Sequence, residues 1–246
     1  MRQENLLGPL AVFLIVLISF GCKTASSAQI DKVLGDFGRI LGEDELTSDQ
    51  VISGLKEALS QGVTKGSNQA SAVDGYLKNE LIRLAFPPEA AKVESRLRQI
   101  GLGSEVDKFI VSLNRAAEKA AIEAKPIFLD AIRGMTIEDA WGILRGGENS
   151  ATEYLRENTH SSLTQKFQPV IKEALDQVNA TKYYDDLVNS YNKIPFVTKA
   201  DPDLDQYATE QAIDGLFKLI AQEEARIRKD PAARTTELLQ KVFASQ

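Results

Sequence analysis

Five polar residues near the middle of the chain, Asn114, Glu118, Lys125, Asp130 and Asp139, are of types that could move protons or hold a ligand. Projected at about 100° per residue, Asn114, Glu118 and Lys125 fall within about 40° of one another and border an apolar stripe. Two arrangements fit that spacing. The three could line a cleft near Pro126, or they could form a polar seam between helices, since buried ionic groups demand partners in either case. Nucleophilic chemistry has little material to work with. His160 is the only histidine and Cys22 the only cysteine, so every Ser-His-Asp or Cys-His arrangement must pass through His160. That residue sits beside Thr159, Ser161 and Ser162, near an expected helix start, and reads as solvated or capping. Asp201, Asp203 and Asp205 imitate the opening of a calcium loop, but Gln206 replaces its glycine and Ala212 its glutamate. They are more simply helix caps. Arg145-Gly146-Gly147 lacks the Gly-Lys-Ser/Thr of a phosphate loop and reads as a corner, whose free N–H groups could still hold an anion. No catalytic residue, metal site or cofactor is assigned.

The elements that position these residues are helical. Ile110, Leu113, Ala117, Ala120, Ala121 and Ala124 make one stripe of mostly small residues on a helix running from Val106 to about Ala124. Leu163, Phe167, Val170, Ile171, Ala174, Leu175 and Val178 make another, and Ile213, Leu216, Phe217 and Ile220 a third. A fourth runs through Leu238, Leu239, Val242 and Phe243. Thr47…Gln50, Thr136…Asp139, Ser150…Glu153 and the shorter-armed Ser104…Asp107 fit capping boxes. Gly101 and Gly146-Gly147 suit helix ends that need a left-handed residue. Pro126 and Pro169 each threaten to end or kink a helix. Gly62 to Gly75, rich in Gly, Ser, Asn and Gln, reads as a mobile connector. Ile194 to Asp203, with two prolines, reads as an interhelical loop or a hinge. Sustained strand-type alternation is missing. The expected architecture is all-α, a compact multi-helix bundle of about eight or nine helices over residues 47–246.

Ahead of that bundle stands an address. Arg2 precedes an apolar run whose centre is Leu10 to Ile18, and the run ends at Gly21 and Cys22. This is shorter than the roughly 20 apolar residues of a membrane span and reads as a signal peptide over residues 1–21. Ser19-Phe20-Gly21-Cys22 resembles the lipobox of bacterial lipoproteins. The resemblance implies a diacylglycerol on the Cys22 thiol, with Cys22 as the new N-terminus. Lys23, where an aspartate would mark inner-membrane retention, implies the outer membrane. Cleavage after Ser26-Ser27-Ala28 is the rival reading. Residues 22–46 then form a polar tether and a short amphipathic helix carrying Ile30, Val33, Leu34, Phe37, Ile40 and Leu41. The acidic residues around that helix favour docking on protein over contact with a membrane.

Composition narrows the functions. With 35 acidic against 29 basic residues the net charge is −6, which repels phosphate backbones and makes nucleic acid an improbable partner. A single cysteine allows no intramolecular disulfide, so packing alone must hold the domain.

Several stretches together are similar to one uncharacterised bacterial family, the domain of unknown function 4197. They include Gly54-Leu55-Lys56-Glu57-Ala58-Leu59, Asn114-Arg115-Ala116-Ala117-Glu118, Glu123-Ala124-Lys125-Pro126 and Met135-Thr136-Ile137-Glu138-Asp139-Ala140. Ile143-Leu144-Arg145-Gly146-Gly147, Phe167-Gln168-Pro169-Val170, Leu204-Asp205-Gln206-Tyr207 and Asp214-Gly215-Leu216-Phe217 continue it. The resemblance covers roughly Thr47 to the C-terminus. It implies an exported, all-helical protein, often lipidated, and carries no activity. The expected function is therefore a non-enzymatic binding or interaction module, held to the membrane by lipid on Cys22, facing the periplasm and meeting an envelope protein partner. A carrier of a lipid or other apolar ligand between helices is the alternative. An enzyme using the carboxylate and lysine residues is third. The oligomeric state is open.

Overall fold

The computed structural model describes residues 47–99, 101–177 and 203–234 continuously, with scattered residues in 178–202 and after 234. The chain divides into two units, Met1–Glu45 and Leu46–Gln246, and every described residue belongs to the second. The signal segment, Cys22, the tether and the short amphipathic helix lie outside the described residues. So do Val178, Asp201, Leu238, Leu239 and Phe243.

The fold is all-α. Seven α-helices occur among the described residues: α1 (Ser48–Ser71), α2 (Ala91–Gln99), α3 (Gly103–Ala121), α4 (Ala124–Gly134), α5 (Ile137–Arg145), α6 (Ser150–Gln177) and α7 (Leu204–Lys229). That is slightly fewer than the eight or nine the sequence suggests. Single 3-10 turns lie at Pro88–Ala90 and Pro231–Ala233, each opened by its proline. No described helix is long and apolar enough to cross a membrane.

The core lies where α1, α3, α6 and α7 meet, with α6 and α7 packed most extensively. Leu55 and Val63 of α1, Leu113, Ala117 and Ala120 of α3, Leu163, Phe167 and Ile171 of α6, and Leu216 and Phe217 of α7 are all buried there. The small-residue stripe of α3 is wholly interior, as its period of 3.6 requires. Phe128 of α4 meets the Phe217 ring edge-on at 5.7 Å.

The glycine-rich stretch is not a connector. α1 runs through it to Ser71, and its glycines face α7. A Cβ on Gly62 would lie 3.7 Å from the Glu223 Cβ, and one on Gly66 would lie 3.6 Å from Leu219 and Ile220. A glycine inside a helix costs about 0.5–1 kcal/mol relative to alanine. Here that cost is offset by the close approach of two long helices. The irregular segment comes later, from Ala72 to Pro87, and forms a strap across α3 and α7. Gly75 turns it so tightly that any side chain would strike the carbonyls of Gln69, Ala70 and Ala72. The strap's Tyr76 ring then fills the space left by the missing side chain of Gly215 on α7, where a Cβ would sit 2.7 Å from the ring.

Capping follows the sequence in part. Thr47…Gln50 and Thr136…Asp139 form complete capping boxes. Ser104…Asp107 does not. Leu102 occupies the cap of α3 without a side-chain bond, while Asp107 pairs with Arg98 at 2.9 Å. Gly101 is left-handed at φ 89°, but Gly146 is extended at φ −78°. Gly146 is required for room, because a Cβ there would strike Ser150. Pro169 stays inside α6, with its ring on the exposed side.

Gly215→Ala should therefore destabilise the domain by about 1–3 kcal/mol, the range for overfilling a packed site. Urea denaturation followed by circular dichroism measures it.

Candidate functional site

The polar residues singled out in the sequence do not converge. Asn114 and Glu118 are buried on α3 and both face the strap. The Asn114 side-chain amide donates to the Leu84 carbonyl at 2.8 Å, and its oxygen accepts from the Leu84 N–H at 2.9 Å. Its amide also donates to the Ile110 carbonyl at 2.8 Å. Glu118 accepts the N–H groups of Tyr76 and Leu77 at 3.1 and 3.3 Å and takes the Arg115 guanidinium at 2.5 Å. Arg115 reaches on to Asp74 at 2.6 Å, and Lys78 holds the other oxygen of Asp74 at 2.8 Å. Asp74 is itself left-handed at φ 67°, which asparagine and aspartate tolerate better than most residues. Tyr76 donates its hydroxyl to the Ala212 carbonyl at 2.6 Å, and its burial, with Glu118 nearby, pushes the phenol's pKa up. Every one of these groups is spent on fixing the strap.

Lys125 does not join them. Pro126 has no N–H to offer the Ile122 carbonyl, so α3 ends at Ala121 and the chain turns before α4. The single helical projection that grouped Lys125 with Glu118 stops at that turn. Lys125 lies half-buried in the first turn of α4. Asp130 is exposed on the same helix and pairs with Arg133 at 2.5 Å. Asp139 closes the capping box of α5, where the N–H and hydroxyl of Thr136 hold its carboxyl below the usual range.

His160 lies in the middle of α6 rather than at a helix start, 3.3 Å from Glu210 of α7. Asp203 caps α7 through the Gln206 N–H at 2.8 Å. Asp205 takes Thr181 at 3.3 Å and Lys172 at 3.4 Å. Among the described residues no group of three His, Cys, Asp or Glu could hold a metal ion.

A second buried node escaped the sequence reading. The Glu224 carboxylate, from α7, accepts the N–H groups of Ala151 and Thr152 at 3.0 and 2.9 Å and the Thr152 hydroxyl at 2.7 Å. It thus occupies the N-terminus of α6, the place of a bound anion. Arg228 neutralises it at 3.0 Å and donates to the Ile143 carbonyl at 2.9 Å, near the end of α5. Ser150, expected to cap α6, donates instead to the Gly147 carbonyl at 2.7 Å. The signal that could have found the node is the Glu224–Arg228 spacing of four residues on a face carrying Ile220 and Ile227.

A partly open cavity of about 20 Å3 adjoins this node, between Leu55, Ala58, Leu59, Ile220 and Ile227. That is room for about one water. Two open surface grooves lie elsewhere among the described residues, one along α2 beside Glu94 and Arg98 and one over the strap beside Asp74 and Lys78. Buried polar side chains among the described residues are bonded within the chain, save the Ser67 hydroxyl.

Removing either buried carboxylate strands backbone donors and a guanidinium. Glu118→Ala and Glu224→Ala should each cost about 3 kcal/mol or more, read as a large fall in melting temperature. An unchanged melting temperature for Glu118→Ala would return that residue to the list of ligand contacts. The pKa values of Asp74, Asp139 and Glu148 are lowered, chiefly by Lys78, Thr136 and Lys229 respectively. Carboxyls lowered by folding stabilise fully above their unfolded pKa and lose that contribution as pH falls through the folded value. The melting temperature should therefore drop as the pH falls below about 4, the unfolded carboxyl range, and Asp139→Ala should flatten that drop.

No curated protein and no solved structure matches the chain. The family described as "Protein of unknown function (DUF4197)" matches residues 45–244. Its span takes in α1 through α7, the strap and both buried carboxylate nodes, and this chain belongs to that family.

Proposed function

We propose that this protein is a cell-envelope lipoprotein whose helical domain faces the periplasm and works as a non-enzymatic binding or interaction module. One observation carries the functional half. Among the described residues the cavity between α1 and α7 holds about 20 Å3, and the larger depressions along α2 and over the strap, about 520 and 550 Å3, lie open on the surface. Small-molecule sites occupy about 300–1,000 Å3. The residues that could have supplied chemistry are separated: Glu118 and Asn114 hold the strap, Asp139 a helix start, and Asp130 an exposed arginine. A body so filled offers its outer surface as the place to act. The support for its location is the apolar run Leu10 to Ile18 ending in Ser19-Phe20-Gly21-Cys22. Lys23 after the cysteine favours the outer membrane.

Native mass spectrometry of protein purified from its own membranes tests both halves. The expected species carries acyl chains on Cys22 and no retained small molecule, and Cys22→Ala should move the protein into the soluble envelope fraction. A stoichiometric lipid released only by unfolding would favour a carrier instead, and a full-length precursor with a free thiol would overturn the anchor.

A further inference from the structure

The outer face of α5 is built to meet itself. Three glycines within described helices have a clear reason inside the chain, since Gly62 and Gly66 face α7 and Gly215 faces Tyr76. Gly134, the last residue of α4, and Gly142 have none among the described residues. Gly142 differs in lying inside its helix, α5; it is exposed, its φ is not left-handed, and no described atom stands within 4 Å of where its Cβ would be. Glycine weakens a helix relative to alanine, so the fold alone gives no reason for it here. An outside surface that approaches the α5 backbone closely would.

The neighbours of Gly142 say which surface. Glu138, Trp141, Gly142 and Arg145 fall within about 100° of one another on the helix, opposite the buried Ala140, Ile143 and Leu144. The only tryptophan of the chain is half-buried there, with the Arg145 guanidinium laid over its ring at 4.6 Å. Glu138 and Arg145 are exposed, and neither has an ion-pair partner among the described residues. Ile137 at the edge of the face is 52% exposed. The pattern is symmetric about one point. A two-fold axis passing between Trp141 and Gly142 sets an antiparallel α5 so that Glu138 meets Arg145 of the other copy, and Arg145 its Glu138. The same axis sets each Trp141 ring over the other copy's Gly142 notch. Charge and shape thus complement themselves about a single axis, which is the property of an interface between identical copies.

We propose that α5 is a homodimer interface, pairing antiparallel with the α5 of a second copy through Glu138–Arg145 ion pairs and Trp141 seated over Gly142. A contact centred on one short helix buries less than the roughly 800 Å2 per partner of a standard interface, so it is weak in dilute solution. Confinement of the chain to a surface raises its effective concentration. The inference goes beyond the interaction reading above, which a monomer with a different partner would leave standing.

Sedimentation equilibrium of the full chain in detergent, up to about millimolar protein, tests it. The wild type should dimerise. Glu138→Arg and Arg145→Glu should each weaken the dimer about tenfold or more, since each sets like charges against each other. The double exchange Glu138→Arg/Arg145→Glu should restore association to near the wild-type value. Both exchanges oppose the α5 dipole, so lost helix stability is worse in the double variant and cannot imitate the rescue. Gly142→Leu should block the dimer while the melting temperature holds. A monomeric wild type, single exchanges that leave the dimer unchanged, or a double variant as weak as the singles would each overturn the proposal.

Discussion

The close approach of α1, α3 and α7 is the constraint on which the rest of the molecule depends. Gly62 and Gly66, with the alanine stripe of α3, bring these helices together with little side-chain bulk between them, and Gly215 admits the strap's Tyr76 beside them. Helices packed this closely exclude bulk solvent from between them. Any backbone that crosses it must find hydrogen-bond partners in side chains, because an unmet buried N–H costs about as much as a lost hydrogen bond. Two pieces of backbone do cross: the strap, which has no helical ladder of its own, and the first turn of α6, whose N–H groups have no earlier carbonyls to use. Asn114 and Glu118 serve the first, Glu224 the second. These three buried polar groups are thus consequences of how tightly the helices meet.

This explains why the two buried carboxylates meet backbone donors on every side that is described. A carboxylate in a dry interior is tolerated when donors surround it. Glu118 has two backbone N–H groups and Arg115, and Glu224 has two N–H groups, a hydroxyl and Arg228. A catalytic carboxylate needs a face left open toward substrate, and these faces are occupied by the protein's own backbone. The anion site at the start of α6 is filled by the same logic.

The helices were legible because their period is imposed by burial of one side, and burial leaves its mark on residue type. The stripes of α3, α6 and α7 and the two complete capping boxes follow directly. What the sequence hid depends on partners far along the chain. Gly62 to Gly75 has the composition of a loop, yet its glycines answer to α7, more than a hundred residues later. Ser150 has the spacing of a cap, yet Glu224 outcompetes it, because a buried carboxylate bound at two N–H groups is stronger than a surface hydroxyl bound at one. Lys125 shares a projected face with Glu118 only while the helix is assumed continuous, and Pro126 makes that assumption false. Asn114 and Glu118 were legible as a polar pair beside an apolar stripe. Their true partner, a strap whose backbone accepts and donates for them, leaves no mark in their own spacing.

The glycines also show how a surface can be separated from a core by one criterion. A residue that weakens its own element persists when something close to it requires the space. For Gly66 and Gly215 that neighbour is within the chain, and filling the space would push two elements apart. For Gly142 no neighbour stands among the described residues, and the proposed second copy supplies one. Glu138 and Arg145, without ion-pair partners among the described residues, stand at equal distances along the helix from the point between Trp141 and Gly142. A random partner surface would demand no such symmetry, since its own charges could lie anywhere. An identical copy demands it, because each group must serve as both donor and acceptor of the same contact. The open notch and the balanced charges are separate observations, and a two-fold axis at Trp141 and Gly142 satisfies both at once.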